Sequence, residues 1–162
     1  MVFRLPNMSE EEIERLIREQ IFCRIAFKGS KHPYIAPFQY AFIDGGLYFH
    51  FTNYGKKINL LERDCRVCVE IEKFKPDLSE YSFVVMRGSL KRVESPEERS
   101  RAIRKMAEDG RQKLSKNFLA AHGFKGQHGW ESLSPEKHLE IVKLTDVVET
   151  VGLKSPELPM SL

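Results

Sequence analysis

A chain of 162 residues with 41% apolar content and a net charge of +3 has the length of one domain, with room for a small appendage, and can bury a core without disulfide or metal staples. No apolar run approaches the roughly 20 residues of a membrane-spanning helix. The opening MVFRLPNMSEEEIE turns acidic early and has no apolar signal core, so no signal peptide is expected.

Ser9-Glu10-Glu11-Glu12 is a capping box, serine followed three residues later by glutamate. Ile13, Leu16 and Ile17 recur at helical spacing, so a first helix is predicted over Ser9–Gln20. Ile21–Phe27 reads as a short strand and Lys28–Lys31 as a turn. Tyr34–Ile43 is predicted as a strand apolar on both faces, which suits core on one side and a ligand or partner on the other. Pro37 within it cannot donate to a ladder, so the strand is an edge there or its missing N–H faces a ligand. Asp44-Gly45-Gly46 signals a hairpin. Leu47–Thr52 alternates, with Leu47, Phe49 and Phe51 on one face and Tyr48, His50 and Thr52 on the other.

Lys57–Arg63, with Ile58, Leu60 and Leu61, reads as a short helix. Cys65–Phe74 is the next strand and Tyr81–Val93 a long one, whose interior Gly88 marks a bulge or a close backbone approach. Ser95-Pro96-Glu97-Glu98 starts another helix. That helical region is expected to break near Gly110 and run to about Ala121, with His122-Gly123 as a stop signal. Phe124–Pro135 reads as loop, His138–Val151 as the last strand and Lys154–Leu162 as a Pro-containing tail. The order α-β-β-β-α-β-β-α-β, with hairpins and few helices, predicts a mainly β protein: an antiparallel barrel of about six strands with peripheral helices.

Thr52-Asn53-Tyr54-Gly55-Lys56-Lys57 is the segment with the most chemical content. Thr52 offers a hydroxyl, Gly55 allows close backbone approach, and the lysines bring charge to a helix start. Lysine there opposes the helix dipole by about 0.3–1 kcal/mol, which an anion above the N-terminus would explain. The segment reads equally as a hairpin exit with solvated lysines. It is not a Walker loop, lacking the Gly-rich run and the Lys-Ser/Thr pair. His50, on the face of Thr52, is either a proton donor beside a cofactor ring or a strand histidine bonded to a neighbour. Trp130, the single tryptophan, stacks on a planar ligand or anchors a loop in the core.

Three cysteines, Cys23, Cys65 and Cys68, form an odd set on strand-like segments and fit a reducing cytoplasm. Cys65 and Cys68 form a CxxC, but residues i and i+3 of a strand point to opposite faces. A composite zinc site with His122 and His128 is the competing reading, and no metal is expected. Arg87–Lys116 holds ten Lys/Arg against five Asp/Glu, the solvated side of a helix or an RNA-facing surface, and its sparse aromatics argue against RNA. No GxGxxG follows a strand, so a Rossmann site is not expected.

Taken together, PYIAPFQYAFIDGGLYFHFTNYGKKINLLERDCRVCVEIE and YSFVVMRGSLKRVESPEER resemble the FMN-binding split-barrel proteins related to pyridoxamine 5′-phosphate oxidase, in the nitroimidazole-resistance-like branch. The likeness runs from about Met8 to Lys154 and implies a single FMN-binding split-barrel domain over residues 1–162. It implies a homodimer with FMN at the interface, the ring along Ile35, Ala36, Pro37 and Phe38, and the phosphate at Thr52, Asn53, Lys56 and Lys57. Gly55 and Phe51 flank that loop, and His50 matches a histidine that some relatives place beside the flavin. The implied activity passes electrons from a reduced nicotinamide to a nitro- or quinone-like acceptor. A non-catalytic flavin- or haem-binding carrier or sensor is the alternative. Neither a membrane nor a nucleic acid is an expected partner. The end HLEIVKLTDVVETVGLK lacks the Trp- and Arg-containing signature of the true oxidase, so pyridoxamine phosphate oxidation is not expected.

Overall fold

The computed structural model describes residues 4–115, 117–118, 129–134 and 139–156. Its elements are α1 (Glu10–Glu19), β1 (Phe22–Phe27), β2 (Tyr34–Ile43), β3 (Gly46–Phe51), α2 (Lys56–Arg63), β4 (Arg66–Phe74), β5 (Tyr81–Arg92), α3 (Pro96–Lys113), a 3-10 turn (Gly129–Ser132) and β6 (Glu140–Lys154). The strands close an antiparallel barrel in the order β1-β2-β3-β6-β5-β4, the mainly β architecture that the alternating segments predict. Among the described residues no helix is long and apolar enough to cross a membrane.

Local chemistry sets the elements. Ser9 accepts from the Glu12 N–H and Glu12 accepts from the Ser9 N–H, so the capping box starts α1. Leu16 and Ile17 then enter the barrel core, and the Tyr40 hydroxyl donates to the Ile17 carbonyl at 2.7 Å. The β2–β3 connection is a two-residue turn with Asp44 at φ 49° and Gly45 at φ 78°, the left-handed pair that matches strand twist. Inside the barrel lie Ile25, Phe27, Phe38, Phe49, Phe51, Val69, Ile71 and Val84. Each such fully buried side chain contributes about 1.5–3 kcal/mol.

A second layer lies outside the barrel. Ala102, Ile103, Met106 and Ala107 of α3 pack on Ala41, Tyr48 and Ile141, with Trp130 and Leu133 at the edge. The apolar outer face of β2 is therefore covered over only part of its length. Its C-terminal half lies under α3, with the Gln39 amide donating to the Met106 carbonyl at 2.8 Å. Its N-terminal half is open, and Ile35 is 61% exposed there.

Gly88 marks a bulge, as expected. The partner of β5 jumps from Thr145 opposite Ser89 to Glu149 opposite Arg87, leaving Asp146, Val147 and Val148 unpaired. A Cβ on Gly88 would meet the Thr145 carbonyl oxygen at 2.7 Å. Two expectations are corrected. The break expected near Gly110 falls at Leu114–Ser115: α3 runs through the glycine to Lys113, and the Trp130 ring lies against it. The last strand runs beyond Val151 to Lys154, its end tied by the Asn7–Leu153 bridge. The stop signal at His122-Gly123, the loop over 124–128, and residues His128, Pro135, His138 and 157–162 lie outside the described residues.

Candidate functional site

β2 and β3 are hydrogen-bonded only from the Tyr40–Phe49 pair to the Ile43–Gly46 pair, whereas β2 continues along β1 down to Tyr34–Phe27. The two strands thus part after Tyr40 and Phe49, and the first half of β2 has no ladder partner on that side. The Tyr40 N–H donates to the Ile21 carbonyl at 3.1 Å. By antiparallel alternation Ala36, Phe38 and Tyr40 turn their backbone groups to β1, and Ile35, Pro37 and Gln39 turn theirs to the open side. Pro37 is therefore at a strand edge, the first of the two readings its missing N–H allows, and it blunts that edge against strand addition.

Side chains seal the fork where the ladder stops. The Phe38 and Phe51 rings stack inside the barrel at 4.8 Å and 21°, and Phe27 approaches both, at 6.1 Å from each. Phe38 and Phe51 are buried, as is Ala36, so the side chains of these three expected cofactor residues belong to the core. What they offer a ligand is backbone. His50 follows Phe49 and so stands where β2 and β3 diverge, half-buried on the outer face beside Ile141 of β6.

The loop after β3 closes the mouth of the fork. Thr52 donates its hydroxyl to the Tyr54 carbonyl at 2.7 Å, which shapes the turn. Thr52, Asn53, Tyr54 and Gly55 are all exposed. Gly55, at φ 95°, is the N-cap of α2, a backbone conformation that side chains rarely adopt. It supplies no side-chain cap, and the first turn of α2 contains no acidic residue. The free N–H groups of that turn and the dipole form an anion-binding end.

Lys56 and Lys57 add charge to this end. The Lys56 ammonium lies 4.3 Å from the Tyr34 ring centroid and the Lys57 ammonium 4.8 Å from the Phe38 ring centroid. Both rings belong to the open half of β2. Lys56 and Lys57 thus stand over Tyr34 and Phe38 of the unpaired half of β2, next in the chain to exposed Thr52, Asn53 and Gly55, while Ile35, Pro37 and His50 lie on the outer strand face and Ala36, Phe38 and Phe51 are buried. Tyr34, under Lys56, was not singled out by sequence, because a ring beneath an ammonium follows from strand register and not from spacing.

Trp130 is the correction among the expected site residues. It is 7% exposed, lies against Gly110 and stacks at 6.2 Å and 15° on Phe118. Its ring surface is consumed in the α3 layer, so it is a core anchor and not a platform for a planar ligand.

Five of the ten Lys/Arg in the basic stretch from Arg87 pair with carboxylates among the described residues. Arg87 pairs with Glu149, Lys91 with Asp146, Arg92 with Glu62, Arg101 with Asp44 and Lys105 with Asp109. A polar knot at the start of α3, also not foreseen, joins Tyr48 and Lys143 to Glu98, at 2.6 and 3.0 Å. The Tyr48 hydrogen bond and then Lys143 hold the Glu98 carboxyl below its ordinary range. Burial first, then the bond to Glu98, pushes the Tyr48 hydroxyl up. All three cysteines are free thiols, and desolvation raises the buried Cys23 thiol. Cys65 is exposed and Cys68 half-buried. Among the described residues no three His, Cys, Asp or Glu side chains cluster as metal ligands.

The sequence profile of the family described as pyridoxamine 5′-phosphate oxidase matches residues 9–144. No curated protein matches the chain. Among solved structures, a FAD-binding protein from Mesorhizobium loti aligns with a TM-score of 0.61 at 16% identity, covering 95% of this chain and 100% of the other. A conserved hypothetical protein from Mycobacterium tuberculosis gives 0.70 at 19% identity, covering 95% and 92%. A candidate 5-nitroimidazole antibiotic resistance protein from Bacteroides thetaiotaomicron gives 0.63 at 19% identity, also covering 95% and 92%. At such identities these likenesses establish the fold.

Proposed function

The chain belongs to the pyridoxamine 5′-phosphate oxidase family, and on that premise we propose that it binds FMN and passes electrons from a reduced nicotinamide to a small nitro- or quinone-like acceptor. The observation that carries this reading is the pair Lys56 and Lys57 at the uncapped N-terminus of α2, beside an open half-edge of β2. A terminal phosphate carries two negative charges near neutral pH, and this end of α2 offers N–H donors and two ammonium groups to hold it. The FAD-binding description of the Mesorhizobium loti structure supports a flavin. The choice of FMN is our reading of a single cationic helix end, that of α2 with Lys56 and Lys57, which suits one terminal phosphate.

Bound flavin supplies reversible acceptance of a hydride. The chain's own share is binding and orientation. Lys56 and Lys57 neutralise phosphate, while Thr52, Asn53 and Gly55 shape the loop around it. Ile35 presents an N–H and a carbonyl to the open side of β2, and Pro37 a carbonyl alone, so a planar ring lying along this edge meets a fixed pattern of one donor and two acceptors. His50, beside the divergence of β2 and β3, would be the side chain to pass a proton to an acceptor bound there. A second copy of the chain closes the exposed side of the opening, giving a homodimer. The free thiols suit a reducing cytoplasm.

An absorption spectrum of the purified protein, before and after adding FMN, tests the cofactor. Anaerobic addition of NADH or NADPH then tests turnover. Flavin bands that bleach support the full reading. Bands that persist with either nicotinamide mark a carrier, and a haem spectrum assigns the site to another cofactor. A protein that stays colourless in FMN defeats the proposal.

A further inference from the structure

Lysine ammonium groups near carboxylates are spent on ion pairs, and this surface has many such pairs. Lys28 and Arg66 share Asp64 just beyond the far end of α2, and Arg24 lies between Glu70 and Glu72. Lys56 and Lys57 differ. Among the described residues their recorded partners are ring faces, Tyr34 and Phe38. An aromatic face attracts an ammonium through its quadrupole while leaving the positive charge uncancelled.

The rings are themselves held. Phe38 is 5% exposed and stacks on Phe51. Tyr34 is half-buried and packs on Phe27, with centroids 6.1 Å apart. Phe27 lies equally close to Phe38, so the two ammonium groups rest on neighbouring rings of one cluster. A lysine loses rotamer freedom when it grips an anion, which weakens the grip. A ring that holds the chain beforehand removes part of that loss.

We propose that Tyr34 and Phe38 are positioning residues of this anion site: their faces hold the Lys56 and Lys57 ammonium groups ready beside the α2 N-terminus without neutralising them, for a phosphate monoester dianion. This rests on the phosphate-gripping role given to Gly55–Lys57 above. Tyr34 is the testable half, since Phe38 also builds the core. The ring is what matters, so its hydroxyl is dispensable.

The experiment compares wild type, Tyr34→Phe and Tyr34→Leu for binding of FMN and of riboflavin, which lacks the phosphate. Inorganic phosphate, followed by the amide signals of Lys56 to Ile58, serves as a flavin-free probe. The expected result is roughly three- to tenfold weaker FMN and phosphate binding in Tyr34→Leu, unchanged riboflavin binding, and wild-type behaviour in Tyr34→Phe. Equal weakening of FMN and riboflavin in Tyr34→Leu reduces the residue to packing and overturns the proposal, as does unchanged FMN binding. If the wild type binds phosphate but no flavin, the flavin reading fails while the phosphate arm still decides the role of Tyr34. If it binds neither, both fall.

Discussion

The Trp130 indole lies on Gly110, so close that a methyl group on that glycine would overlap ring atoms Cζ3, Cη2 and Cε3. A glycine inside a helix costs about 1 kcal/mol against alanine. Here that cost is offset by a flat seat for the largest side chain of the outer layer, at the edge where α3 packs on Ala41, Tyr48 and Ile141.

Gly110→Ala should therefore destabilise the protein in spite of its better helix propensity. Overpacking a filled site costs about 1–3 kcal/mol, against about 1 kcal/mol of propensity gained. A lower urea midpoint with red-shifted or broadened tryptophan emission is expected. A higher midpoint would mean that the indole moves aside freely.

Lys57→Glu should abolish retention of FMN and leave the fold intact. The substitution exchanges a cation at the α2 N-terminus for an anion, which the helix dipole tolerates well, so far-ultraviolet circular dichroism should not change. Flavin absorbance after gel filtration reads the binding loss. Full retention would put the phosphate elsewhere.

Glu98 should make a pH-dependent contribution to stability. Its carboxyl is held below the ordinary value by the Tyr48 hydroxyl and by Lys143. A depressed folded pKa means that the stabilisation is present above the unfolded value of about 4.3 and is lost as pH falls through the lower, folded one. The side chain is 38% exposed, so solvent screening keeps the effect small. Urea midpoints of wild type and Glu98→Gln should differ at pH 6 to 7, by about 1 kcal/mol or less, and converge towards pH 3. A gap independent of pH would rule out the ionised pair as its source.

Gly88→Ala should be more damaging than most surface substitutions. The added Cβ would press on a backbone oxygen, that of Thr145, at 2.7 Å, and a backbone atom in a ladder cannot turn away as a side chain does. A loss of about 1–3 kcal/mol is expected, with faster amide exchange in the Asp146–Val148 bulge. Unchanged exchange there would show that the bulge does not depend on this close approach.

Most of the fold was legible in the chain because its signals are local. Ser9 and Glu12 announce α1, Asp44-Gly45 makes its turn by backbone conformation alone, Val67, Val69 and Ile71 alternate into the core, and Ser95-Pro96 opens α3. Gly88 likewise reads as a bulge from its place inside an apolar strand. Pro37 restricted the possibilities to an edge or a ligand-facing position. Tertiary structure decided the rest, because each remaining feature depends on residues far apart in sequence. Only register shows that β2 and β3 separate after Tyr40 and Phe49, which turns Pro37 into an edge residue and leaves His50 next to the point where the strands diverge. Only packing shows that Trp130 fills the space over Gly110, and that Lys56 and Lys57 rest on aromatic rings while Lys91, Arg92, Arg101 and Lys105 find carboxylates. Periodicity assigns a side chain to a face, but which groups meet across that face depends on how distant strands and helices pack.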